Sequence, residues 1–194
     1  MKCNRFSSVS FSIILAAGIS ALCAMTPASA HEAHVHGVGN LDVALDNHTL
    51  TLHLDTPLIN LLGFEHAANS APDQQAAQKM GLQLHMANSV FVITPAAQCV
   101  QASVTLVSAA LKPALLGETS LAAKDTQTAA DKHDGHADLD GDFVFSCAHP
   151  EQIKAIDVKL FDLYPGFHQI NVQAVTLKGQ SAATLKAGAT SIPF

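Results

Sequence analysis

Histidines are concentrated near the start of the sequence, in a spacing that suits metal binding. His31, His34 and His36 fall within a stretch of six residues. His34 and His36 are two positions apart, so on an extended segment both side chains point to the same face and one cation can reach both rings. Imidazole is a ligand that suits Zn²⁺ and Cu²⁺. The segment 31–36 therefore indicates one arm of a metal site, with a solvated polar tail as the alternative.

Further candidate ligands come from two other parts of the chain. Glu65 and His66 place a carboxylate and an imidazole directly after a predicted helix, where Glu65 would be an oxygen ligand or would orient an imidazole. His133 and His136 are three positions apart, which suits a turn or a helical face. None of these pairs completes a tetrahedral shell alone, so the segments must converge. The predicted metal ligands are His34, His36, His66, His136, Glu65, His133 and His31.

Histidines outside these segments have a simpler interpretation. His48, His85 and His168 stand alone and are predicted to be surface or capping residues, and His53 falls on the polar face of a predicted strand. Enzyme signatures are also missing from the sequence. The stretch 31–34 approaches H-E-x-x-H, but its second histidine comes one position early and would not share a helical face with the first. We therefore predict a binding protein with no catalytic residues.

The N-terminal residues have the features of a secretory signal. Lys2 and Arg5 give a positive start, an apolar stretch follows, and Ala28 and Ala30 form an A-x-A cleavage site. Cleavage after residue 30 would make His31 the mature N-terminus and leave a single domain over 31–194. The apolar stretch is short, so we expect no stable membrane insertion after cleavage. A lipid anchor on Cys23 is the weaker alternative.

Charge and cysteine content narrow the possible partners. The formal net charge is −6 and the lysines and arginines do not cluster, which argues against nucleic acid as a partner and favours a divalent metal ion. Cys99 and Cys147 are the cysteines that remain after cleavage, and in an oxidising compartment they are predicted to form a disulfide. Closing that loop would stabilise the fold by about 4 kcal/mol. Metal ligation by the two thiolates is the alternative.

Hydrophobic periodicity predicts the first half of the fold. Leucines and a valine alternate with polar residues over 41–54, which is typical of a β-hairpin. Thr56 and Pro57 predict the N-cap and first turn of a short helix that Gly63 would end. A second helix is predicted from a Ser70 cap to about His85, with core positions at Ala76, Ala77, Met80 and Leu84.

The second half is predicted to be mostly strands. The valines and leucine of 100–106 alternate with polar residues, and Phe143-Val144-Phe145 predicts a short strand. Residues 108–140 lack firm periodicity and are predicted to form a long polar loop that carries the His/Asp stretch. Other strands are predicted at 90–93, 156–160, 170–177 and the C-terminus. The order of elements favours an α+β fold with a mainly antiparallel sheet and two or three short helices.

Several of these segments together resemble ZrgA-type zinc-binding proteins, which are exported proteins of Gram-negative bacteria linked to zinc uptake. The resemblance lies in His34-Val35-His36-Gly37 with the strand after it, in 57–66, in 136–147 and in 160–173. It covers nearly the whole mature chain. It implies periplasmic zinc binding, and delivery to an inner-membrane metal importer or its accessory proteins. The His/Asp-rich insertion of such proteins is reduced here to 131–138.

Three functions remain open from the sequence. The leading hypothesis is a periplasmic protein that captures Zn²⁺ and supports its uptake by a partner transporter. Because ligand imidazoles must be neutral, its zinc affinity would fall below about pH 6.5. The second hypothesis is a Cu²⁺ site built on the amine and ring of a mature N-terminal His31. The third is a metal-independent structural or interaction domain.

Overall fold

The computed structural model describes residues 35–119, 137–176 and 178–194. These residues form an α+β fold with mostly antiparallel sheets, as predicted. The helices are α1 Leu58–Leu62, α2 Ala71–His85, α3 Ala87–Val90 and α4 Leu160–Leu163. The strands are β1 Val38–Asp46, β2 Thr49–Pro57, β3 Phe91–Ile93, β4 Cys99–Val107, β5 Asp138–Cys147, β6 Ala155–Val158, β7 Gln169–Thr176, β8 Gly179–Leu185 and β9 Ser191–Pro193.

A six-stranded sheet with the order β4-β5-β2-β1-β7-β8 forms the centre of the fold. Its neighbours are antiparallel except β1 and β7, which run parallel. The predicted hairpin of β1 and β2 is confirmed, and Asn47 takes the left-handed conformation (φ 51°) in its turn. A second, three-stranded sheet has the order β3-β6-β9.

Side-chain alternation in the central sheet separates a core face from a polar face. Leu41, Leu52 and Leu54 are fully buried at 0% exposure, and each such leucine stabilises the fold by about 1.5–3 kcal/mol. Between them, Asp42 and His53 lie on the opposite face, because successive strand residues point to opposite sides. The polar residues of β1, β2 and β5 therefore meet on one face.

Helix α2 covers part of the core face and begins as predicted. The Ser70 hydroxyl accepts a hydrogen bond from the Asp73 amide at 3.2 Å, which caps the helix. Ala77, Met80 and Leu84 are buried, whereas Ala76 is only partly so. The backbone at Leu115–Leu116 runs against Gly81, and a Cβ there would lie 3.1 Å from it.

Both ends of the loop predicted over 108–140 contain regular structure. Residues 113–115 form a 3-10 turn, and Leu111 and Leu116 are buried. Strand β5 begins at Asp138 and not at Phe143. The Asp and Gly residues at its start are poor strand formers, and pairing with β2 overrides that preference.

Three local predictions were also wrong. A β-bulge between Gln101 and Ser103 reverses the alternation in β4 and leaves Val100 63% exposed. Leu160 begins helix α4 and does not extend the strand before it. Pro57 ends β2, and the Thr56 side chain makes no capping bond to α1.

A disulfide joins Cys99 to Cys147, as predicted, across the β4–β5 pair. Its Cα atoms are 3.9 Å apart and its residues are 48 positions apart in sequence. The bond therefore ties together the two strands that lie on either side of the 120–136 segment. Among the described residues, no helix is long and apolar enough to cross a membrane.

Candidate metal centre

Two of the predicted ligands, His36 and Glu65, are in direct contact. The His36 Nε2 atom lies 3.1 Å from each carboxylate oxygen of Glu65. The His36 side chain is 54% exposed, whereas that of Glu65 is only 15% exposed. An ionised carboxylate can only accept, so the Nε2 proton of His36 is the one donated. An imidazole and a carboxylate from distant segments thus meet with the chemistry of a zinc ligand pair.

The end of helix α1 positions the backbone that carries Glu65. Gly63 follows the helix in the left-handed conformation (φ 79°), and its amide donates to the Ile59 carbonyl at 2.9 Å. This C-cap turns the chain away from the helix axis within two residues of Glu65. The stop predicted at Gly63 is confirmed.

His66 follows Glu65 directly but has different neighbours. Its ring stacks on that of Phe64, with centroids 4.6 Å apart and an interplanar angle of 14°. Its Nδ1 atom lies 3.1 Å from the Ala67 carbonyl oxygen, which can only accept. The Nε2 atom of His66 is therefore the ring nitrogen that keeps a lone pair, on an exposed side chain.

On the other side of the contact, a tight turn carries His36. The Val38 amide donates to the Val35 carbonyl at 2.9 Å, and Gly37 between them has a positive φ of 85°. The Gly37 amide donates to Oδ1 of Asn60 at 2.7 Å. The Nδ2 group of Asn60 donates to the Val38 carbonyl at 2.9 Å and to the Thr56 hydroxyl at 3.0 Å. Helix α1 is thereby bonded to the residues that follow His36.

The turn at 164–168 packs against the turn at Gly37 and against helix α1. The Gly37 carbonyl accepts from the amides of His168 (2.8 Å) and Gln169 (3.0 Å), which starts the parallel pairing of β1 and β7. A Cβ on Gly37 would lie 2.7 Å from the His168 ring, and one on Gly166 would overlap the Asn60 carbonyl. Sequence reasoning missed Asn60, Gly166 and the packing role of His168. A lone Asn in the apolar run 58–62 was the available signal for Asn60.

The predicted ligands His31, His34, His133 and His136 lie outside the described residues. Their described sequence neighbours can be placed. Ala137, next to His136, is buried, and its carbonyl accepts from the Leu58 amide at the start of α1 at 2.8 Å. The carbonyl of Val35, next to His34, accepts from the Val38 amide in the turn at Gly37, which is bonded to Asn60. Within 35–119, 137–176 and 178–194, no group of three or more His, Cys, Asp or Glu side chains is arranged to hold a metal ion.

A second contact between imidazole and carboxylates lies on the polar face of the central sheet. We call it the His53 cluster: His53, Asp42, Asp55, Asp140 and Asp142. His53 is opposite Asp42 on β1 and Asp142 on β5. Its Nδ1 atom is 2.7 Å from Asp142, and its Nε2 atom is 4.0 Å from Asp140.

Charge around His53 favours its protonated form. Partial burial lowers the pKa of His53, but the hydrogen bond to Asp142 and the charges of Asp142, Asp140 and Asp42 outweigh burial, and the pKa is raised above 6.5. Burial and repulsion from Asp55 raise the pKa of Asp140. His53 thus lies on the polar face, as its strand position predicts, and a positive charge there would offset part of the charge of the surrounding aspartates.

The other histidines contact backbone or surface groups. His48 Nδ1 lies 2.9 Å from the Cys147 carbonyl, and His85 Nε2 lies 2.9 Å from the Leu116 carbonyl. Each ring thus contacts a backbone carbonyl from a distant segment. His149 is 3.8 Å from Glu151, with both side chains more than half exposed.

Comparison with protein families assigns the chain. The family model described as ZrgA family zinc uptake protein matches residues 33–194. The chain belongs to the ZrgA family. That match includes every described residue and both members of the His36–Glu65 pair. A comparison with curated proteins finds no match. A role in zinc uptake follows from the family.

Proposed function

We propose that this ZrgA family protein captures Zn²⁺ in the periplasm through a composite site centred on His36 and Glu65, and passes it to a transport system. The observation that carries the proposal is the 3.1 Å contact between His36 and Glu65. These residues are 29 positions apart in sequence, so the fold and not chain proximity brings them together.

The distances of the pair suit a zinc ion. Nitrogen and oxygen ligands at about 2.0–2.2 Å from a tetrahedral zinc lie roughly 3.4 Å from each other. The His36 and Glu65 atoms are within a few tenths of an ångström of that separation at 3.1 Å. Zinc would lie where the Nε2 proton lies in the contact, and the neutral His36 ring would then carry its proton on Nδ1. An imidazolium must lose a proton before it binds zinc, so affinity falls as the pH drops.

Two ligands are too few for tight binding, so the proposal needs more histidines. His34 and His136 are the best candidates, because their described neighbours Val35 and Ala137 are both tied to the region around α1. His66, with an exposed Nε2, is the next candidate, followed by His133 and His31. This set gives mainly imidazole ligands with one carboxylate, which is a combination typical of zinc sites.

Zinc titration of the mature protein by calorimetry tests the site. His36→Ala and Glu65→Gln are each expected to lower zinc affinity about tenfold or more, because each removes a ligand. His149→Ala is the matched control, because it removes an exposed histidine that also faces a glutamate but is not among the candidate ligands. Equal affinities for the wild type, His36→Ala and His149→Ala would overturn the proposal.

The proposal includes export through a signal peptide that is cleaved after residue 30. Mass spectrometry of the exported protein is expected to find His31 at the N-terminus. The same sample distinguishes zinc from copper, because a copper site on His31 needs its free amine. In a competition between zinc and copper, zinc affinity is expected to depend on His36. If copper binding were instead lost when the N-terminus is extended, that result would favour the copper site on His31.

Passage of zinc to an inner-membrane importer would be seen as poorer growth of a His36→Ala strain in low zinc.

A further inference from the structure

We propose that Asn60 is a positioning residue for metal binding, which keeps His36 within reach of Glu65 by bonding the turn at Gly37 to helix α1. The inference rests on the proposed function, in which His36 and Glu65 are zinc ligands. Asn60 itself contacts neither side chain in the hydrogen bonds described above. Its effect on zinc would therefore pass through the backbone.

The burial of Asn60 is the first observation behind the proposal. Among the described residues, the buried polar side chains are Thr56 (0% exposed) and Asn60 (2% exposed), and they are bonded to each other. Burying an amide is costly unless its polar atoms find partners. Leucine or isoleucine, which fill the neighbouring positions of α1, would avoid that cost. An asparagine here is explained by the geometry that its bonds impose.

The directions of those bonds are the second observation. Oδ1 accepts from the Gly37 amide at 2.7 Å, and Nδ2 donates both its protons, to Val38 at 2.9 Å and to Thr56 at 3.0 Å. Only an amide side chain supplies an acceptor and two donors from one rigid group. The bonds to Gly37 and Val38 hold the backbone on the C-terminal side of His36.

The position of Asn60 in α1 connects the same group to Glu65. The helix ends at Leu62, and the Gly63 cap turns the chain toward Glu65, which is five residues after Asn60. Gly166 packs against the Asn60 carbonyl and limits movement of the helix on that side. One buried side chain therefore fixes both segments of the His36–Glu65 pair relative to each other.

Zinc calorimetry on two variants of the mature protein tests the inference. Asn60→Ala removes all three bonds, and the expected result is a loss of zinc affinity of about tenfold to hundredfold, as for other residues that orient ligands. Thr56→Val is the matched control, because it removes one buried bond but leaves those to Gly37 and Val38. It should lower the unfolding midpoint in urea without changing zinc affinity. Unchanged affinity in Asn60→Ala, or equal losses in both variants, would overturn the inference.

Ring NMR of the metal-free protein separates this inference from the proposed function. If Asn60 positions His36, the His36 ring resonances shift in Asn60→Ala and in Glu65→Gln but stay in place in Thr56→Val. That result supports positioning even if the wild type fails to bind zinc, which would overturn only the proposed function. Unshifted His36 resonances in Asn60→Ala would overturn the inference.

Should Asn60→Ala fail to fold, the wild type provides the test. One equivalent of zinc is expected to shift the Asn60 side-chain amide resonances and to slow hydrogen exchange of the Gly37 amide. The same signals should not respond to zinc in His36→Ala. If the wild type binds zinc but the Asn60 resonances do not change, the result would contradict the positioning role of Asn60.

Discussion

The His36–Glu65 pair and the His53 cluster use the same functional groups but are built differently. His36 and Glu65 come from a turn and a helix end, which a buried asparagine bonds together. His53 and its carboxylates come from neighbouring strands, where sheet register alone sets them opposite each other. The described surroundings also differ, since His36 contacts the Glu65 carboxylate in the first and several aspartates surround His53 in the second.

We interpret that difference as one between a proposed metal site and a site of charge balance. Zinc binds neutral imidazole, so a site needs a histidine that gives up its proton readily. Asp142, Asp140 and Asp42 favour the protonated form of His53 and raise its pKa. The surrounding carboxylates thus favour the charged form of His53, whereas His36 contacts Glu65, a carboxylate that we propose as a second ligand. A count of histidines and carboxylates would not distinguish the two regions.

The largest expected effect comes from the packing beneath His36. Gly37 and Gly188 have nearly the same φ (85° and 83°), but only Gly37 has the His168 ring within reach of a Cβ. Gly188→Ala should cost roughly 1–2 kcal/mol of unfolding free energy from backbone strain. Gly37→Ala should cost more, because the exposed His168 ring must also move aside, and it should also weaken zinc binding.

Urea denaturation of both glycine variants measures this difference, and zinc calorimetry on the folded samples measures the second effect. Gly188→Ala is expected to bind zinc like the wild type. Equal stability losses in the two variants would show that the turn at Gly37 has room to adjust, and would weaken the distinction between the two regions.

A smaller effect is expected from pH. Because the pKa of His53 is raised above 6.5 in the folded protein, its stabilisation is complete below about pH 6.5 and is lost as the pH rises through the folded-state pKa. The side chain is 41% exposed, so solvent screening limits the effect to at most about 1 kcal/mol. Zinc affinity should change in the opposite direction and increase with pH.

His53→Gln separates the two pH responses. Urea unfolding at pH 6 and pH 8 should show a loss of stability in the wild type and a smaller loss in the variant. The increase of zinc affinity over the same range should be the same in both proteins. An altered zinc profile in His53→Gln would mean that the His53 cluster takes part in metal binding.

The parts of the fold that could be predicted depend on strong local periodicity. The β1–β2 hairpin and helix α2 follow from alternation and a cap, and Glu65 was recognisable as a candidate from its place after a predicted helix. The sequence predicts only the second half of strand β5, because alternating aspartates around Gly141 suggest a loop. Its pairing partner β2 lies far away in sequence, so no local pattern reveals it.

The residues that support the site are less predictable than its candidate ligands. Asn60 is one polar residue in an apolar helix, and its partners lie more than twenty positions earlier, at Gly37 and Val38. The close approach of Gly166 to this helix depends on the packing of two distant segments. Spacing identifies groups that could bind metal, whereas only tertiary contacts identify what holds them.

Imidazole ¹⁵N NMR during a zinc titration tests the central claim most directly. His36 and His53 are observed in one experiment, and each acts as the reference for the other. One equivalent of zinc should shift the His36 Nε2 resonance to the range of metal-bound nitrogen and leave both His53 nitrogens in place. A His53 shift at the first equivalent, with His36 unchanged, would contradict the account.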